Sequence, residues 1–104
     1  MTPLVISKQG EGHFRVEGDM TFATIGAQLA TLFTFLVPAK RVTIDLGQVA
    51  SADSAGLALL VEWKKIARSQ KCQLALKNIP EQLHMLANLS GFDLASHFII
   101  QTDS

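Results

Sequence analysis

The feature that most constrains this chain is a strand that passes through a short loop into a long amphipathic helix and then into another strand. Arg41-Val42-Thr43-Ile44-Asp45-Leu46 is a β-branched stretch suited to a pleated, half-buried surface. A loop over Gly47 to Asp53 follows, then a helix from about Ser54 to Ser69, then a strand over Cys72 to Leu76. Such a unit closes by a parallel crossover, which is expected to be right-handed. Before it, Leu4 to Ser7 and His13 to Glu17 read as two strands joined by a turn at Gly10 and Gly12. After it, Pro80 opens a helix that runs to about Ser90 and stops at Gly91, and Phe98 to Ile100 is a last strand or extended tail. The order is β-β-α-β-α-β-α-(β). It predicts an α/β fold, a mixed β-sheet with helices packed on it, in one domain over residues 1–104.

The stretch from Met20 to Ala39 carries no charged residue and is long enough to be tested as a membrane span. Its content argues for a surface helix. At about 100° per residue, Phe22, Ile25, Leu29, Leu32, Phe33 and Leu36 share one side, and Thr24, Gln28, Thr31 and Thr34 share the other. Asp19 or Thr21 is placed to cap this helix, and Pro38 follows its end. Its outer face is polar but uncharged, so it loses little on desolvation against a protein partner. In the second helix Leu59, Leu60, Trp63, Ile66 and Ala67 form the arc expected to face the sheet. Leu57, Ala58 and Val61 fall on the other side, with Lys64, Lys65 and Arg68 below them. They are either a docking patch beside Ser54 or core residues under a loop. Phe35 is a candidate edge of the same patch.

Nine basic residues balance nine acidic ones, and only 17% of residues are charged, against about 25% in an average soluble domain. That balance argues against nucleic acid and against an electrostatic membrane anchor, and it favours association with a protein. Cys72 stands alone, so no disulfide framework exists, and a small buried strand residue is its expected role. The start of the chain has too short an apolar run for a signal peptide, so a cytoplasmic location is expected.

No catalytic constellation stands out. His13, His84 and His97 lie on different elements, with no cysteine or carboxylate at metal-ligand spacing. There is no G-x-S-x-G elbow and no P-loop. No enzyme activity, cofactor or metal is expected. The informative place is Asp53-Ser54, where a loop meets a helix N-terminus and one of the two residues caps it. A hydroxyl displayed there is a candidate phosphorylation site or partner contact.

The stretch Val42 to Arg68, with Asp45-Leu46 and Asp53-Ser54-Ala55-Gly56-Leu57, resembles the STAS domain family, which includes anti-sigma factor antagonists and the tails of sulfate transporters. Val16-Glu17-Gly18-Asp19-Met20 is similar to the family's turn before its first helix, and the likeness spans roughly residues 4 to 100. Gly56 to Trp63, Ala67-Arg68, Asn78-Ile79-Pro80-Glu81-Gln82-Leu83 and Leu86 to Gly91 resemble one subgroup, the small STAS subunits of Mla-type phospholipid transporters.

The resemblance implies a non-catalytic cytoplasmic subunit of a Gram-negative bacterium. It would be peripheral to the inner membrane through its partner, an ABC transporter ATPase that works with a membrane permease. Ser54 would take the place of the family's phosphorylatable or ATPase-contacting hydroxyl. The residues proposed to meet the partner are Ser54, Ala55, Leu57, Ala58, Val61 and Lys64, with Thr24, Gln28 and Thr31 of the first helix. The alternative implied by the family is an anti-sigma factor antagonist switched by phosphorylation of Ser54. Two departures weigh against a kinase switch. Ala55 stands where sigma-regulating members commonly have a second serine, and Thr21 stands where they often have an aspartate.

Overall fold

A computed structural model describes residues 2–28 and 41–101. Strands β1 (Val5–Gly10) and β2 (His13–Met20) form the N-terminal hairpin, and helix α1 (Phe22–Gln28) follows. Then come β3 (Arg41–Ala52), α2 (Ser54–Ser69), β4 (Gln73–Lys77), α3 (Glu81–Leu89), the short α4 (Leu94–His97) and β5 (Ile99–Gln101). The five strands form one sheet in the order β1-β2-β3-β4-β5. β1 is antiparallel to β2, and every other pair is parallel. The mixed sheet expected from the sequence is the one observed.

Each parallel crossover steps the same way along the sheet. With the usual right-handed connection, that puts the helices on one face. α2 accordingly packs with α1 on one side and α3 on the other. Beneath it lie the inward residues of the central strands, Val16, Val42, Ile44, Leu46, Leu74 and Leu76, all buried. Leu59, Leu60, Trp63 and Ala67 of α2 meet them, as the helical spacing predicted, and Trp63 is fully buried at 0% exposure. Ile66 is only partly buried against this core.

Several boundaries differ from those expected, β1 running to Gly10 and β2 to Met20 among them. Gly47 to Ala52 is the second half of β3 and not a loop. Its sequence is poor in β-branched residues, yet β2 pairs with it as far as Met20 opposite Ala52, through two register irregularities. β4 pairs only up to Asp45 opposite Lys77, so this half of β3 runs on beyond the short strand. α4 was not foreseen; Asp93 caps it through the Ala95 N–H. Cys72 is buried as expected but precedes β4 by one residue. Gly91 has φ +71°, as a C′ glycine requires.

Candidate functional site

Two helix N-termini meet at Asp53. This residue caps α2: its Oδ1 accepts the Ala55 N–H at 2.9 Å. Its Oδ2 accepts the N–H of Phe22, the first residue of α1, at 3.2 Å. One carboxylate thus satisfies orphan amides of two helices and sits where both helix dipoles favour negative charge. Its own N–H donates to Met20 O, which ties the junction to the end of β2. Gly56 makes the junction possible. A Cβ at this position would lie 2.7 Å from the Met20 carbonyl oxygen and 3.1 Å from the Met20 Cβ.

The turn entering α1 is built from hydroxyls. Thr21 O accepts the N–H groups of Thr24 and Ile25. Thr24 Oγ1 donates to Asp19 O at 2.6 Å and accepts the Thr21 N–H at 3.1 Å, the half of a capping box in which the third helical residue reaches back to the N-cap amide. Asp19 Oδ2 accepts the Thr2 N–H at 3.0 Å, and its Oδ1 accepts the Ser51 hydroxyl at 2.9 Å. The Thr2 amide, then the Ser51 hydroxyl, hold the Asp19 carboxyl below its ordinary value. Gly18 lets the chain reach this point: it has φ +94°, and a Cβ there would collide with Pro3 O.

These connections correct the expected outer faces. Thr24 is buried at 3% exposure because its hydroxyl is spent on the turn. Phe22, expected inside, is 81% exposed at the tip of α1. Leu57 is buried at 8%: flanked by α1 and α3 as well as floored by the sheet, α2 hides a wider arc than a two-sided wheel predicts. Val61 and Lys64 are half-buried on the same flank. Ser54 and Ala58 are exposed, as expected of a surface, and Ala55 is partly covered. Thr31 lies outside the described residues, as do Thr34, Phe35 and the side chain of Gln28.

Ser54 stands between two apolar grooves. The first, about 390 Å³, runs between α1 and α2 and is lined by Phe22, Ile25, Gly26, Ala58 and Leu59 with Ser54. The second, about 460 Å³, runs between the start of α2 and α3, where Gln82, Met85, Leu86 and Leu89 face Asp53 and Ser54. Gln82 anchors this wall: its Oε1 accepts the Ala52 N–H at 3.0 Å. Met85 is 55% exposed and Leu89 84%. Among the described residues, the only charged ones lining the two grooves are Glu62 and Asp53. Met85 and Leu89 were missed from the sequence, although a signal existed. α3 carries two apolar stripes at helical spacing, Leu83 with Ala87 and Met85 with Leu89, and one helix face of this size buries only the first.

The three histidines are exposed on separate elements, and among the described residues no group of three His, Cys, Asp or Glu is placed to hold a metal ion. No helix of the described residues is long and apolar enough to cross a membrane.

Known structures repeat this architecture. The anti-sigma factor antagonist SpoIIAA in its unphosphorylated form aligns with a TM-score of 0.68 at 9% identity, over 97% of this chain and 89% of that one. A putative anti-sigma factor antagonist from Thermotoga maritima gives 0.68 at 18% identity, over 100% and 87%. A sulfate transporter family protein from Wolinella succinogenes gives 0.62 at 17%, over 90% and 80%. At such identities the likeness is one of fold. No curated protein sequence matches the chain. A family model does: the one described as "Mlab, STAS domain" matches residues 5–100, and the chain belongs to that family.

Proposed function

We propose that this protein is a non-catalytic accessory subunit that docks on the ATPase of an Mla-type phospholipid transporter. It would stabilise or regulate that ATPase in the cytoplasm, held at the inner membrane through its partner and helping to maintain outer-membrane lipid asymmetry. The observation that carries the reading is an exposed serine between two apolar grooves, on a chain of this family. Phe22 and Leu89, the most exposed large apolar side chains of the two grooves, are the expected anchors. A partner seated over Ser54 meets the edge of both grooves, because Ser54 lines each of them. Ala55, Ala58 and the exposed face of α1 complete the contact. Thr24 and Leu57 act from beneath it, as residues that hold the helices in place.

The test is co-purification with the ATPase. Phe22→Asp and Leu89→Asp change exposed side chains, so each should leave stability within about 0.5 kcal/mol while abolishing the complex. Ser54→Glu should weaken it by placing charge between apolar walls. Leu57→Asp is unsuitable, because it would charge the core. A complex that survives both aspartate substitutions would remove the proposed surface.

A second reading, an anti-sigma factor antagonist switched by phosphorylation of Ser54, is favoured by the exposure of that serine at the first position of α2, where a helix N-terminus attracts phosphate. Stoichiometric phosphate on Ser54 in protein taken from cells, together with binding to a serine kinase, would select it. Capture of an ABC ATPase and unmodified Ser54 would select the transporter subunit.

A further inference from the structure

The far end of α2 carries a different kind of site. Lys64 and Arg68 lie one turn apart on its flank, and from Ser54 to Lys64 the helix rises roughly 15 Å. They line a cleft of about 500 Å³ closed on the other side by α4 and the start of β5, a volume suited to a small molecule. His97 faces them from α4: Lys64 Nζ donates to His97 Nδ1, which leaves the Nε2–H of that ring as a further donor. The ring is held in place by Phe92, stacked on it with centroids 4.3 Å apart and planes 11° from parallel. Gln73 adds an amide at the rim, and Leu74 and Phe98 give the cleft an apolar wall.

The charge is one-sided. Among the described residues no carboxylate lines the cleft, and neither Lys64 nor Arg68 pairs with one. Two like charges at i, i+4 repel each other on a helix. The C-terminal end of α2 offsets part of that repulsion for Arg68 in the last turn, but Lys64 lies further back and half-buried. Asp93 does not line the cleft, although its charge acts on His97; its Oδ2 accepts a hydrogen bond from the Ser96 hydroxyl at 2.7 Å, so that hydroxyl hydrogen is not free for a ligand. What remains is an ammonium, a guanidinium, an imidazole N–H and an amide gathered round one cavity and all able to donate.

We propose that this cleft binds a small phosphate ester or related oxyanion. The oxygens would sit between Lys64 and Arg68, where a guanidinium fork and a point charge suit a phosphate, and a small apolar portion would lie against Leu74 and Phe98. The site lies beyond the docking grooves and does not depend on their role.

The test is an amide NMR titration of the full chain with inorganic pyrophosphate, with chloride at matched ionic strength as the control. Saturating shifts are expected at Lys64, Arg68, Gln73 and His97 and none at Phe22 or Ser54. Lys64→Gln with Arg68→Gln should weaken binding by at least about tenfold, with the spectrum elsewhere unchanged. If the double variant does not fold, each single glutamine substitution should weaken binding several-fold. No saturation by about 10 mM, shifts that chloride reproduces, or binding indifferent to these substitutions would overturn the proposal.

Discussion

Asp53 is where a single side chain does most for the candidate site, and its contribution can be divided experimentally. Asp53→Ala removes the cap of α2, which costs about 1 kcal/mol. It also strips the Phe22 N–H of a charged acceptor, which costs about another 1 kcal/mol at this half-exposed position. The sum is about 2 kcal/mol. Asp53→Asn separates the two. An amide has one carbonyl oxygen, so whichever way it turns, only one of the two N–H groups keeps its acceptor, and the expected cost is about 1 kcal/mol. For a domain of 104 residues each kcal/mol lowers Tm by roughly 4–8 °C, so the alanine variant should melt roughly 8–16 °C below the parent and the asparagine variant about half as far. Urea unfolding should rank them the same way with an unchanged m-value. Amide exchange gives the local readout: the Phe22 and Ala55 amides should both lose protection in the alanine variant, and one of them in the asparagine variant. Parental stability of Asp53→Asn would refute the bridging role, because one carboxylate oxygen would then suffice.

Gly56→Ala sets two effects against each other. Helix propensity gains about 1 kcal/mol, while the new methyl meets the Met20 carbonyl oxygen at 2.7 Å and strains the junction by about 1–3 kcal/mol. A net loss is expected in urea unfolding, and a gain would show that β2 yields easily. Asp19 gives the acid limb. Its carboxyl is held below the ordinary 3.8, so the stability it adds is present at neutral pH and is lost as pH falls past that value and through the lowered folded one. Asp93, held down first by the Ser96 hydroxyl, acts in the same direction. Asp19→Asn should flatten acid unfolding, and an unchanged acid limb would contradict the Thr2 and Ser51 contacts. Trp63→Ala removes a fully buried indole from beneath α2 and should cost about 3–5 kcal/mol, a large share of the stability of such a domain. A soluble, cooperatively melting variant with near-parental Tm would count against its place in the core.

The periodic signals carried the architecture. The β-branched run at Arg41 and the stripe Leu59, Leu60, Trp63, Ala67 each state which face is apolar, and hydrophobic burial acts on that pattern directly. The order of elements then pointed to a mixed sheet with parallel crossovers, and Asp53-Ser54 announced a helix start because capping is local chemistry. What sequence could not decide is which neighbour covers a given flank. Leu57 is buried because α3 and α1 close around α2. Phe22 stands in solvent because its backbone, not its ring, is held by a residue 31 positions away. Thr24 turned inward to bond Asp19 O. Met85 and Leu89 became one wall of a groove only when Gln82 fixed α3 beside Ala52. Exposure is a property of assembled elements, whereas periodicity belongs to one element at a time. The chain therefore wrote its own fold legibly, and left the shape of its outer surface to the packing of its helices on one sheet.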